Sequence, residues 1–403
     1  MHSSWVRGPV GLDAGPRLTR TGFRTVLVLV PSMTAGTRLL DLLPLVEVDH
    51  RVQAVLTVPH AGEVWHGVEE FARRTGALVV PWSQAVHHRW DLVLTASHRH
   101  IDQVHGPVLV LPHGAGSLGS LRRSRKARGS TRDTTGLDRD LLTFRGRLVP
   151  AALALSHELE LTALRRTCPE AEPVAVVAGD LCLDRMTASL PFRDRYRAAL
   201  GVAGDEELVT VSSTWGAESA FGRHPGLCHR ILTEAGAGTR VAAVLHPMVH
   251  ATHGSRQVHA WLDTARDRGL LVVPPEEGWR ATMIASDRVV GDHGSTTSYA
   301  AAIGRPVHLA AFPDRTVRPG SIAAALARTA PRLDHDRPLL PQLHNRADPA
   351  VAGLITSRPG AAAGIFRATM YRLLELDEPS WPAPTAALPL PRPTTHPGES
   401  HGW

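Results

Sequence analysis

Lysine is almost missing from this chain of 403 residues. Lys126 is its one lysine, and arginine supplies the rest of a Lys+Arg complement of 44. The formal net charge of +6 therefore comes from arginine, in a sequence with abundant alanine, glycine and proline. Such a balance reads as a coding bias and not as a nucleic-acid footprint. No helix-turn-helix pattern and no aromatic-plus-basic RNA motif accompanies it, so nucleic acid is not an expected partner. Cysteine is scarce too. Cys168, Cys182 and Cys228 are an odd number, widely spaced, and form no Cys-x-x-Cys pair. That excludes a disulfide framework and fits a reducing compartment. No run approaches the ~20 apolar residues that a transmembrane helix needs. The first 21 residues carry arginine and proline but no apolar signal-peptide core. The expected location is the cytoplasm, with the inner face of the membrane as the surface within reach.

What is present is a soluble globular composition, 43% hydrophobic and 20% charged, on a chain too long for one ordinary core. Short apolar runs, TVLVLV (25–30), VQAVLTV (52–58), LVV (78–80), DLVLTA (91–96), PVLVLP (107–112), AALALS and VAVVAG (174–179), alternate with helical segments. A second series follows with LVTVSS (208–213), RVAAVLHP (240–247), LLVVPP (270–275), DRVVGD (287–292) and PVHLAAF (306–312). Strands that are apolar at successive positions and alternate with helices predict parallel βαβ units covered on both faces. The fold expected is α/β, with two Rossmann-like doubly wound domains facing a cleft.

The expected boundaries are a disordered 1–21, an N-terminal domain 22–190, a C-terminal domain 191–345, a helical segment 346–378 and a disordered tail 379–403 with seven prolines. In the helical segment, Phe366, Met370, Leu373 and Leu374 share a face. Residues 122–147 hold nine Arg/Lys against three Asp, and read as a basic surface loop or an anion-handling lid able to touch a membrane surface.

The chemistry-bearing stretch is GDHGSTTSYAAAIGRP (291–306). An apolar strand ends in Asp292. Gly294, Ser295, Thr296 and Thr297 then open a helix of small residues. Backbone N–H groups and the positive end of the helix dipole there suit an anion, and the hydroxyls add donors. An ordinary N-cap uses the same residue types, and both readings stay open on this stretch alone. PHGAGSLG (112–119) carries Gly114, Gly116 and Gly119 in a formal G-x-G-x-x-G, but it follows a late strand and precedes a basic run, which disfavours a dinucleotide site. His113 beside it is a strand-end imidazole placed to take a proton from a hydroxyl. LHPMVHATH (245–253) offers His246, His250 and His253; no neighbouring carboxylate or cysteine supports a metal, and His246 reads better as a strand-end donor to phosphate. Ser213 and Thr214 bring hydroxyls to another strand end, and Trp215 stands there to shield or stack.

Taken in order, these pieces resemble the CDP-glycerol glycerophosphotransferases, the polymerases of teichoic-acid synthesis, which have the GT-B fold. The family's His-Gly pair corresponds to His113-Gly114, and its Gly-x-Pro-x-x-Asp segment to GDLCLD (179–184). Its Pro-Thr-Trp strand end corresponds to SSTW (212–215), its Arg-Pro-His-Pro to LHP (245–247), and its Thr-Asp-Tyr-Ser-Ser to GDHGST (291–296) followed by GRPV. The resemblance spans roughly residues 107–312. It implies a transferase with His113 as catalytic base on the acceptor hydroxyl, Gly114 on the acceptor side, and His246 at the donor diphosphate. Ser295 and Thr296 would hold phosphates and Asp292 would orient their turn. The partners implied are a nucleotide-activated donor and a hydroxyl acceptor (polyol, sugar or polymer). No cofactor and no obligatory metal are expected.

The departures are specific. Ser117 and Leu118 stand where the family has a Lys, Gly216 replaces an Arg, and His293-Gly294 replace Tyr-Ser. The family's helix Asp has no counterpart near Tyr299 and Ala300. A different activated group, or nucleotide binding without catalysis, therefore stays open. A 2-epimerase of the same fold is disfavoured by the lack of a carboxylate in TSYAAAIG.

Overall fold

The computed structural model describes residues 5–10, 18–60, 65–116, 136–344 and 349–393. Their backbone divides into two α/β units: 5–116, 136–182 and 356–385 in the first, and 183–344, 349–355 and 386–393 in the second.

The first unit holds β1 (Arg24–Leu29), β2 (Val52–Thr57), β3 (Leu92–Thr95) and β4 (Val108–Val110), a small hairpin of β5 (Thr143–Phe144) and β6 (Arg147–Leu148), then β7 (Pro150–Leu155) and β8 (Ala175–Val177). Its main sheet runs β2-β1-β3-β4-β7-β8, parallel throughout. Val26, Leu27, Val28 and Leu29 are all fully buried, so successive positions of one strand face apolar surroundings on both sides. That is why these runs lack the alternation of a half-exposed strand. The run at 78–80 makes only a bridge, Leu56 to Val79, before Pro81 starts a short helix, Trp82–Ala85.

The second unit holds β9 (Glu207–Ser213), β10 (Thr239–Leu245), β11 (Leu271–Val272), β12 (Arg288–Gly291) and β13 (Val307–Leu309), ordered β11-β10-β9-β12-β13 and again parallel. The chain winds outward from β9 through β10 to β11, then returns to the other flank of β9 with β12. The strand order reverses between β9 and β12, and in open parallel sheets ligands sit outside the carboxyl ends at such a reversal.

Four expectations meet a different arrangement. The helix Ala362–Leu374 forms where the pattern places it, with Phe366, Met370 and Leu374 buried and Leu373 half-buried. Its apolar face, however, is part of the first unit's core beside Val26, Val28, Leu92 and Leu94. The expected segment 346–378 is thereby split, since 349–355 belong to the second unit. The tail expected to be disordered from 379 docks in part: Leu388 is 5% exposed, its amide donates to Ser189 Oγ at 3.0 Å, and its carbonyl accepts from Tyr196 Oη at 3.0 Å. Proline content forbids helix and strand there but not burial. Near the other end, the Gln84 amide bonds the carbonyls of Val6 and Val10, and Val10 is 3% exposed. Residues 136–147 of the expected basic loop carry a short helix, Arg139–Leu142, and most of the β5–β6 hairpin. Residues 122–135, 11–17 and 394–403 lie outside the described residues.

Candidate functional site

At the end of β12 in the second unit, Asp292 is fully buried. Its Oδ2 accepts from the amides of Thr214 (2.9 Å) and Ala220 (2.8 Å) and lies 3.4 Å from Ser213 Oγ. Its Oδ1 accepts from the amide of Gly294 at 2.9 Å. One carboxylate therefore ties the loop after β9 to the turn after β12. Burial pushes its pKa up, while the neighbouring His293 and the three amides pull the other way. Three backbone amides aimed at the two oxygens favour the ionised form, against the burial that opposes it.

The helix Ser295–Ala302 starts from this turn with Gly294 as its N-cap residue. Gly294 has φ −75°, which any residue adopts. Its missing side chain matters for packing: an added Cβ would lie 2.8 Å from Thr214 Cβ and 3.0 Å from Asp292 Oδ1. The Gly294 amide is engaged by Asp292, so the anion-binding potential moves into the first helical turn. There, the amides of Thr296 and Thr297 donate to no protein group among the described residues. Ser295 is exposed and Thr296 half-buried. Thr297 is different. It is fully buried, and its Oγ1 accepts from the Asp292 amide at 3.3 Å, which makes the hydroxyl part of the scaffold. Ser213 is scaffold as well: it is 3% exposed, donates to the Thr214 carbonyl at 2.8 Å and accepts from the Phe221 amide at 2.9 Å. Of the expected hydroxyls, Thr214 and Thr296 make no hydrogen bond among the described residues.

His246 directly follows β10, and its amide donates to the Ser213 carbonyl at 2.9 Å. It is also the N-cap residue of the helix Pro247–His253, with Nδ1 accepting from the Met248 amide at 3.1 Å. An acceptor nitrogen carries no proton, so the neutral ring holds its hydrogen on Nε2. His246 is thus built to donate. Its ring centroid lies 6.5 Å from that of Trp215, tilted by 39°. His250 and His253 have separate neighbours. His250 is 4% exposed beside His259, neither ring nitrogen has a partner among the described residues, and burial pushes its pKa down to about 4. His253 lies against Trp261.

His113 follows β4 in the first unit. Desolvation lowers its pKa, the charge of Arg38 lowers it further, and a hydrogen bond to the Ala96 backbone acts in the opposite sense. The ring is nevertheless exposed, so desolvation here reflects crowded surroundings and not enclosure. The lowered pKa favours the neutral ring, which carries a lone pair on one of its nitrogens. Gly114 lies in a tight turn, its carbonyl accepting from the Gly116 amide at 2.8 Å, with Gly116 at φ +73°.

Sequence reasoning missed two neighbours. His98, three residues past β3, has Nε2 buried with no partner among the described residues, and burial with the nearby His113 pushes its pKa down to about 4. It is a strand-end histidine of the kind that drew attention to His113. His293 is 6% exposed, and its Nδ1 has no partner among the described residues. It was noticed as a replacement within a motif and not as a group with its own chemistry.

The chain matches no protein-family model, and no curated protein matches it in sequence. Solved structures do match. A variant of the wall teichoic acid polymerase TagF soaked with CDPG aligns with a TM-score of 0.53 at 10% identity, over 87% of this chain and 88% of that one. A second TagF variant gives 0.52 at 10% identity, over 88% and 89%. Anabaena Alr3699/HepE in complex with UDP-glucose gives 0.47 at 14% identity, over 88% and 100%. At these identities the likeness to TagF speaks to the fold, which is α/β of the GT-B type.

Proposed function

We propose that the chain is a transferase that moves a glycerophosphate-like or glycosyl group from a nucleoside-diphosphate donor to a hydroxyl acceptor. The observation that carries this reading is the gathering of donors at the carboxyl ends of the second unit's strands, where His246 is oriented by the Met248 amide at its Nδ1. His113, an imidazole whose pKa is lowered by desolvation, supplies the lone pair of a neutral ring. A phosphate needs donors, and an acceptor hydroxyl needs a base. The amides of Thr296 and Thr297, unpaired among the described residues, the Thr214 hydroxyl and His246 are all donors, drawn from the ends of β9, β10 and β12.

In the reaction, the acceptor oxygen forms a bond to phosphorus or to the anomeric carbon of the transferred group. The bond from that atom to the leaving phosphate oxygen breaks, and its electron pair stays on the leaving phosphate. His113 takes the acceptor's proton as the new bond forms. The helix-start amides and His246 stabilise charge gathering on the leaving phosphate. The CDPG in the TagF structure supports a cytidine donor as the first candidate.

A second reading is nucleotide binding without turnover, favoured by Gly216 and Ser117 where the resembling family has cations. A thermal-shift screen against CDP, UDP, GDP, CMP and their glycerol or sugar esters tests the shared premise. A ligand at 100 times its Kd stabilises by about 2.7 kcal/mol. Absence of any shift would end both readings. A His113→Ala variant separates them, because catalysis requires lost turnover with retained nucleotide affinity.

A further inference from the structure

We infer that the exposed indole of Trp215 is the seat for the flat ring of the donor's base, an inference that rests on the diphosphate reading above. Trp215 directly follows Thr214, the residue against which Gly294 packs at the helix start. Trp215 is 54% exposed although it stands at the strand ends of a well-buried sheet. A surface of that size left in water is a loss that a flat apolar partner would recover. His246 stands to one side of the ring, with centroids 6.5 Å apart and planes tilted by 39°, and leaves more than half of the residue's surface in water.

The stalk beneath the ring is fixed. The Thr214 amide is held by Asp292, and Gly216 turns the chain at φ +92°. The Gly216 carbonyl lies so close to Gly222 that an added Cβ there would come within 2.4 Å of it. A ring exposed on a rigid support is preorganised, so little ordering cost attends its use. The other exposed tryptophan of this unit's sheet region, Trp261, already has Phe221 and His253 beside it. The ligand class follows from the company Trp215 keeps. Phosphate donors and a bare aromatic face occur on adjoining residues of one loop cluster, and a nucleoside diphosphate carries phosphates and a flat ring on one ribose. Stacking reads the face of a base and not its edge, so Trp215 adds affinity to every base alike.

The test uses the full chain and titration calorimetry with CDP, UDP, ADP, GDP and inorganic pyrophosphate. For Trp215→Ala, the expected result is a loss of roughly 5- to 150-fold for all four nucleotides in parallel, with pyrophosphate unchanged. Trp215→Phe should recover most of that loss. Equal weakening of nucleotides and pyrophosphate would show a merely structural residue and overturn the inference, as would a Trp215→Ala protein that binds nucleotides like the parent. If the parent binds pyrophosphate but gains nothing from a nucleoside, the base seat fails while the phosphate reading stands. If it binds neither, the phosphate reading fails and the base seat falls with it.

Discussion

Replacing Asp292 by Asn keeps shape and volume but exchanges one carboxylate oxygen for an NH2 group. Oδ2 serves two amides, from Thr214 and Ala220, and Oδ1 serves one, from Gly294. The less costly orientation keeps the carbonyl oxygen toward the pair and turns NH2 toward the Gly294 N–H. That leaves one buried amide facing a donor, a cost of about 1–3 kcal/mol. For a unit of this size, each kcal/mol moves Tm by about 2–4 °C, so Asp292→Asn should lower it by roughly 2–12 °C. Asp292→Ala orphans all three amides, a cost of roughly 3–9 kcal/mol against total stabilities of about 5–15 kcal/mol. That variant should be close to unfolding. Differential scanning calorimetry gives the Tm directly, and nucleotide titration on the folded Asn variant reports whether the turn still presents its amides. An Asn variant melting within 1 °C of the parent (the ~1 °C margin lies below the smallest shift expected) would refute the reasoning that this carboxylate holds two loops together.

His113→Ala should cut turnover by about 10²- to 10⁴-fold while nucleotide Kd stays constant, measured by steady-state kinetics and titration. The acid limb of its pH–rate profile should fall below the ordinary histidine value near 6.5, because crowding and Arg38 both disfavour protonation; a limb above 6.5 contradicts this. His250 and His308 have folded pKa values pushed down by burial to about 4, so the stability they contribute is present above about 6.5 and lost as pH falls from 6.5 towards 4. His250→Leu removes a ring with two unpartnered nitrogens, so its Tm should equal or exceed the parent's at pH 7.5 (roughly one unit above the ordinary histidine pKa) and exceed it further at about pH 5. Tyr371→Phe removes the 2.8 Å hydrogen bond to Asp49 and should cost about 1.5–3 kcal/mol in chemical denaturation, without altering nucleotide affinity.

The sheets were legible because strands buried on both faces leave unbroken apolar runs, such as TVLVLV and RVAAVL. The strand ends, where donors gather, followed from the α/β pattern. What could not be read was the allocation of each polar group. Ser213 and Asp292 are 79 residues apart in the chain and meet because β9 and β12 are neighbours, a pairing that no spacing encodes. Once that pairing exists, Asp292 takes the Gly294 amide and Thr297 turns its hydroxyl inward, leaving Thr214 and Thr296 as the open hydroxyls. The polarity of His246 was hidden for the same reason: the amide that fixes it belongs to a helix, Pro247–His253, that the run HPMVHATH does not announce.

The helix Ala362–Leu374 completes a core begun by Val26 and Val28. A ribosome must therefore pass residue 374 before the first unit can close, and until then an apolar face built from Val26 and Val28 waits for its lid. A fragment ending at 182 would lack that lid, so separating the two units requires joining 356–385 back onto it.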